Sequence, residues 1–133
     1  MTGFAKKLPA LCILIITACV STMNISEDYS PAVLIQRAQE ASDRNRYKTA
    51  LQYYQALYDR SGYNTDMKIT AEYEIAFIHY KQKKYQQARQ ELNAVLEYYN
   101  SPDAELLPQQ FRRLAQIVLE SITEKERGQK PSK

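Results

Sequence analysis

A four-residue pattern, Tyr-x-x-Ala, occurs twice in equivalent surroundings, and the interval between its copies limits what this chain can fold into. Tyr47-Lys48-Thr49-Ala50 follows the polar stretch Arg44-Asn45-Arg46, and Tyr85-Gln86-Gln87-Ala88 follows Lys81-Gln82-Lys83-Lys84. Each opens an amphipathic run, Leu51 to Tyr58 and Arg89 to Tyr99. Twelve positions before each alanine stands another, Ala38 before Ala50 and Ala76 before Ala88. The unit is helix, tight turn, helix, with small residues where two helices approach closely, and it repeats at 38 residues. A period of that size predicts stacked units that bury one another's apolar faces, because one helix pair cannot cover its own. Ala38, Tyr47, Ala50, Tyr54, Ala76, Tyr85, Ala88 and Leu92 are the expected repeat-packing residues. Only three glycines and five prolines, against abundant Ala, Leu, Gln, Glu, Lys and Tyr, agree with an all-α fold.

The units resemble the tetratricopeptide repeat (TPR), whose helix pairs carry a small residue in the first helix and Ala-x-x-x-aromatic in the second. Unit one supplies Ala38-x-x-Ala41 and Ala50-x-x-x-Tyr54; unit two supplies Ala76-x-x-His79 and Ala88-x-x-x-Leu92. The likeness covers roughly residues 31 to 102. Glu72 departs from it, standing where a large apolar residue is usual, and Ala41 and His79 replace a tyrosine. The extra length falls in Ser61-Gly62-Tyr63-Asn64-Thr65-Asp66, and such lengthened loops are similar to those of the BamD/ComL group of lipid-anchored TPR proteins. That resemblance implies a short helical-hairpin solenoid of two repeats plus a capping helix, with outer-membrane protein assembly as one setting.

The start of the chain has a different character. Lys6 and Lys7 precede an apolar stretch from Leu8 to Cys19, too short to span a bilayer, and this resembles a secretory signal. It ends Ile16-Thr17-Ala18-Cys19, similar to the lipobox of bacterial lipoproteins. The resemblance implies a signal peptide over 1–18, a diacylglycerol thioether on Cys19, and membrane attachment through N-terminal acyl chains. Val20, in place of aspartate, implies outer-membrane sorting, facing the periplasm, in a cell with two membranes. Cys12 leaves with the signal and Cys19 is acylated, so no disulfide is expected. Without Lys6 and Lys7 the 18 basic residues fall to 16 against 15 acidic, a balance that does not recruit nucleic acid.

Residues 19–30 read as a lipidated, polar tether and 31–127 as the helical domain. Ser30 caps a helix opened by Pro31 and running to about Ser42, with Leu34, Ile35, Ala38 and Ala41 on its packing side. A second helix runs from Tyr47 to about Arg60, ended by Gly62. Thr65 or Asp66 caps a third, ending near Lys81, and a fourth runs from Tyr85 to about Tyr99 before Pro102. Leu106 to about Arg127 makes a capping helix with Phe111, Leu114, Ala115, Val118, Leu119 and Ile122 inward and Gln109, Arg112, Arg113, Gln116 and Glu120 outward. Residues 128–133 read as a disordered tail.

Catalytic chemistry is not expected. The lone His79 reads as a packing residue, and no phosphate loop, nucleophile elbow or His-Glu-x-x-His motif occurs. No metal or cofactor is implied. Recognition is the better theme, because the chain holds eleven tyrosines and no tryptophan. Tyr73, Phe77 and Tyr80 share one face of the third helix. They either line a groove with Ile35, Gln39, Arg112, Arg113 and Gln116, or are buried beneath the capping helix. The function expected is a non-enzymatic scaffold that binds an envelope protein or peptide segment while lipid holds it at a bacterial membrane. The alternative is a structural envelope lipoprotein that self-associates through its tyrosines into a homo-oligomer.

Overall fold

A computed structural model describes residues 23–128; the expectations for residues 1–22, including Cys19, and for 129–133 lie outside them. The described chain is all-helical: α1 (Pro31–Asp43), α2 (Tyr47–Asp59), α3 (Thr65–Lys81), α4 (Tyr85–Glu97) and α5 (Gln109–Gly128). Two short 3-10 turns, Tyr98–Asn100 and Ala104–Leu106, join α4 to α5.

Both hairpin turns are built alike. After α1, Asn45 takes a left-handed φ of 56°, its N–H donates to the Ser42 carbonyl, and Arg46 N–H donates to Ala41. After α3, Lys83 takes φ 62°, its N–H donates to Tyr80, and Lys84 N–H donates to His79. These are Schellman motifs, which satisfy the last helical carbonyls and reverse the chain with a single left-handed residue. The small residues fall where the helices meet: Ala38, Ala50, Ala76 and Ala88 are all fully buried.

There are two cores, and α3 belongs to both. Its Ala71 and Ile78 pack with Leu34, Ala38, Tyr54 and Leu57 of the first hairpin. Its Ile69, Tyr73 and Ala76 pack with Leu92 and Val95 of α4 and with Phe111, Ala115, Val118 and Ile122 of α5. A helix with an apolar stripe on each of two sides can pack against neighbours on both. Displaced by 40 positions, α5 repeats the side that α3 turns to the first hairpin, with Ala71, Ile75 and Ile78 replaced by Phe111, Ala115 and Val118. The side that α3 turns to α4 (Ile69, Tyr73, Ala76, Tyr80) becomes Gln109, Arg113, Gln116 and Glu120. So α5 covers the second hairpin without repeating the apolar side that α3 turns to α4.

Several expectations need correction. Asn64, not Thr65 or Asp66, caps α3, its side chain accepting from Met67 N–H at 3.0 Å. The helix of α4 ends at Glu97 and tightens to 3-10 geometry. Pro108 excludes Leu107 from helical geometry (ψ 157°), so α5 starts at Gln109 instead of Leu106. Gln109 is not an outer residue, since its amide donates to the Ala104 and Leu107 carbonyls. Leu114, expected inside, is 40% exposed, and Ile117 is 56% exposed. Gly128 closes α5 and is not tail.

The segment before α1 is also docked, not loose. Ile25 and Tyr29 pack on the first core, Arg37 lies over the Tyr29 ring at 5.0 Å, and the Arg60 guanidinium donates to backbone carbonyls of residues 25–29. Among the described residues no helix is long and apolar enough to cross a membrane.

Candidate interaction groove

Three helices each turn a pair of residues, three positions apart, toward one concavity: Gln55 and Tyr58 of α2, Glu72 and Ile75 of α3, Glu91 and Ala94 of α4. Spacing of three puts both members of a pair on one helix face. The cavity they enclose is about 220 Å³. It continues past Glu72 and Ala94 into a wider stretch of about 570 Å³ lined by Thr65, Glu97, Tyr98, Ser101, Asp103 and Leu107.

Glu72 stands where the two stretches join. Its Oε1 accepts from the Tyr98 hydroxyl at 3.3 Å, while Oε2 is buried and has no donor. Burial pushes the Glu72 carboxyl above the ordinary carboxylate range, opposed by the Tyr98 hydrogen bond and by Lys68. Burial and the Glu72 charge push the Tyr98 phenol up to about 12, which keeps it a donor at neutral pH. On the opposite wall Glu91 is engaged at both oxygens: Oε2 meets His79 Nδ1 at 2.7 Å and Oε1 accepts the Gln87 amide at 3.0 Å. His79 is buried, and besides packing its ring nitrogen makes a hydrogen-bond contact that positions Glu91.

The residues proposed from sequence lie elsewhere. Ile35 is half-buried against the first core, and Gln39, Arg112, Arg113 and Gln116 are exposed. Tyr73 is only 4% exposed and stands 5.2 Å from the Phe111 ring, so of the two expectations burial beneath α5 holds and Tyr73 does not face a groove. Phe77 and Tyr80 are half-buried and continue a ring stack from Tyr73 at 6.0 and 5.9 Å. Lys81 closes that side, with Nζ 5.2 Å from the Phe77 ring and 5.8 Å from the Tyr47 ring, and bonded to Ser42 Oγ at 2.8 Å. Arg112 lies over Tyr99 at 6.0 Å, away from this stack. Neither stretch of the groove contains any of the eight. Glu72, Tyr98 and Glu91 go unnoticed in the sequence reading as site residues. The one signal for them is Glu72 itself, a carboxylate at a position where the repeat pattern calls for an apolar side chain.

No family model and no solved structure matches the chain. It is similar to an uncharacterized protein of Treponema pallidum (strain Nichols), 36% identical over 108 residues. The match takes in 79% of this chain and 43% of that relative, so the chain spans less than half of the relative's length.

Proposed function

We propose that the chain is a lipid-anchored, TPR-like module that binds a protein segment at a bacterial envelope. The observation that carries the reading is an open concavity laid across three helices, α2, α3 and α4, whose backbones two cores hold rigidly beneath it. A groove of that kind recognises a partner by burial and a few placed polar groups, without catalysis. Lipidation at Cys19 places the module at a membrane, with outer-membrane assembly as one setting. The bacterial source of its relative is in keeping with this setting. Ile25, already packed on the first core, follows Cys19 by only six positions, so an anchor at Cys19 holds the groove close to the bilayer.

The test is photocrosslinking in native membranes, with the crosslinker at Ala94 in the groove or at Tyr80 on the aromatic side, together with a Cys19→Ser variant. A defined envelope protein trapped at either position supports the module, and release of Cys19→Ser from the membrane supports the anchor. Capture of nothing at both positions overturns the module. A second reading, self-association, has its own observation: Leu114 and Ile117 lie exposed on α5. Crosslinks only between copies of the chain favour it.

A further inference from the structure

We propose that the groove takes an arginine or lysine side chain of the partner segment, with Glu72 as its counter-ion; this rests on the protein-binding reading above. The chain as a whole is basic, with a formal charge of +3, yet the groove inverts that sign. Glu72, Glu91, Glu97 and Asp103 line its two stretches and no lysine or arginine does.

Not all of these carboxylates are equally available. Glu91 is held by His79 and Gln87, and Glu97 accepts the Asn100 amide at 3.0 Å. Glu72 is different, because its Oε2 is buried and lacks any donor. A buried acceptor without a partner is costly, and most such groups in folded proteins find one. Oε2 itself is closed off from the groove as from solvent, so a cation reaches this carboxylate from the Oε1 side, beside the Tyr98 hydroxyl.

The rest of the lining suits a long cationic side chain. Tyr58 lines the inner stretch and Tyr98 the outer one, so each supplies an aromatic side chain to a cation near Glu72, while Ile75 and Ala94 present apolar surface to its methylene stem. At about 220 Å³ the inner stretch lies below the ~300–1,000 Å³ of sites for drug-sized ligands, which fits one side chain better than a whole metabolite. The wider outer stretch accommodates the residues flanking it. Among the described residues no three His, Cys, Asp or Glu converge as a metal ion requires.

The test uses the full-length protein in non-ionic detergent, observed by amide NMR during titration with acetyl-Ala-Arg-Ala-amide. The neutral isostere acetyl-Ala-citrulline-Ala-amide and free arginine serve as comparisons. The arginine peptide is expected to shift the amides of Glu72, Ile75, Ala94 and Tyr98 saturably, and to bind about tenfold or more tighter than the citrulline peptide. Glu72→Gln is expected to remove that preference. Ala94→Phe, which fills the groove but keeps the charge, is expected to abolish binding with the helical circular dichroism intact. Equal binding of both peptides, shifts confined to other faces, or unchanged binding by Glu72→Gln overturns the proposal. Free arginine binding as tightly as the peptide marks a small-molecule site and overturns the partner segment. A protein trapped only at Tyr80 leaves the module standing and overturns this groove. Arginine-selective peptide binding with no protein trapped at either position does the reverse.

Discussion

The Arg60 guanidinium reaches back 34 positions and donates to the Ser26 carbonyl oxygen at 3.2 Å. The same group bonds the carbonyls of Ile25, Glu27 and Tyr29 at 3.4 to 3.5 Å, so one cation at the end of α2 gathers a whole turn of backbone. Charge-assisted bonds of this kind are stronger than neutral ones, although Arg60 is exposed and water competes for them. Arg60→Ala is expected to free residues 25–29 while costing the domain no more than about 1 kcal/mol. Hydrogen exchange checks this: protection of Leu34 and Ala38 should persist while that of Tyr29 vanishes. Loss of protection throughout α1 would show that the clasp holds the helix as well.

The paired turns make a second, quantitative expectation. Asn45 and Lys83 occupy the same left-handed position in identical motifs, but asparagine tolerates that geometry and lysine does not. Lys83→Gly should therefore stabilise the fold by about 0.5–1 kcal/mol, and Asn45→Gly by less. Urea unfolding of both variants gives the comparison. A loss at Lys83→Gly would mean that its side chain makes contributions outweighing the strain.

Where the sequence spoke clearly, the physical reason is periodicity. Ala38, Ala50, Ala76 and Ala88 must be small because helix axes approach there, and each lies on a 38-residue interval that survives into the structure as full burial. In α5 the pattern is ambiguous. Phe111, Leu114, Ala115, Val118, Leu119 and Ile122 admit two overlapping stripes, and packing selects Phe111, Ala115, Val118 and Ile122, leaving Leu114 outside. The docked segment 25–29 is illegible for another reason. Arg60 holds its carbonyl oxygens, which every residue has, and the two side chains that reach the first core, Ile25 and Tyr29, are too few to show a period. The groove was half legible: Glu72 breaks the apolar pattern, but Glu91 and Tyr98 look like any solvated helix surface until α2, α3 and α4 are brought around one concavity.

The burial of Tyr73 separates it from its neighbours on α3. Tyr73 is enclosed and packed on Phe111, whereas Tyr80 is half-buried at the end of the ring stack. Tyr73→Ala should cost about 3–5 kcal/mol, as large aromatic truncations in cores do, and Tyr80→Ala clearly less. Chemical unfolding of the two single variants tests the order. Equal costs would place Tyr80 as deep as Tyr73.

Glu74 gives the pH dependence. Its carboxyl is largely buried opposite Tyr54 and Lys81, and burial raises it above the ordinary 4.5 despite both neighbours. An acid whose folded pKa is raised binds its proton more tightly folded than unfolded. Its contribution to stability is therefore whole below about 4.5, and is lost as pH rises through the folded pKa. Glu74→Gln cannot ionise and escapes this loss. The variant should match wild type near pH 4 and become progressively the more stable of the two toward pH 7. Urea midpoints measured across that range decide it, because other carboxylates affect both proteins equally and drop out of the difference. A difference that stays constant with pH would mean that Glu74 ionises as freely in the folded protein as in the unfolded chain.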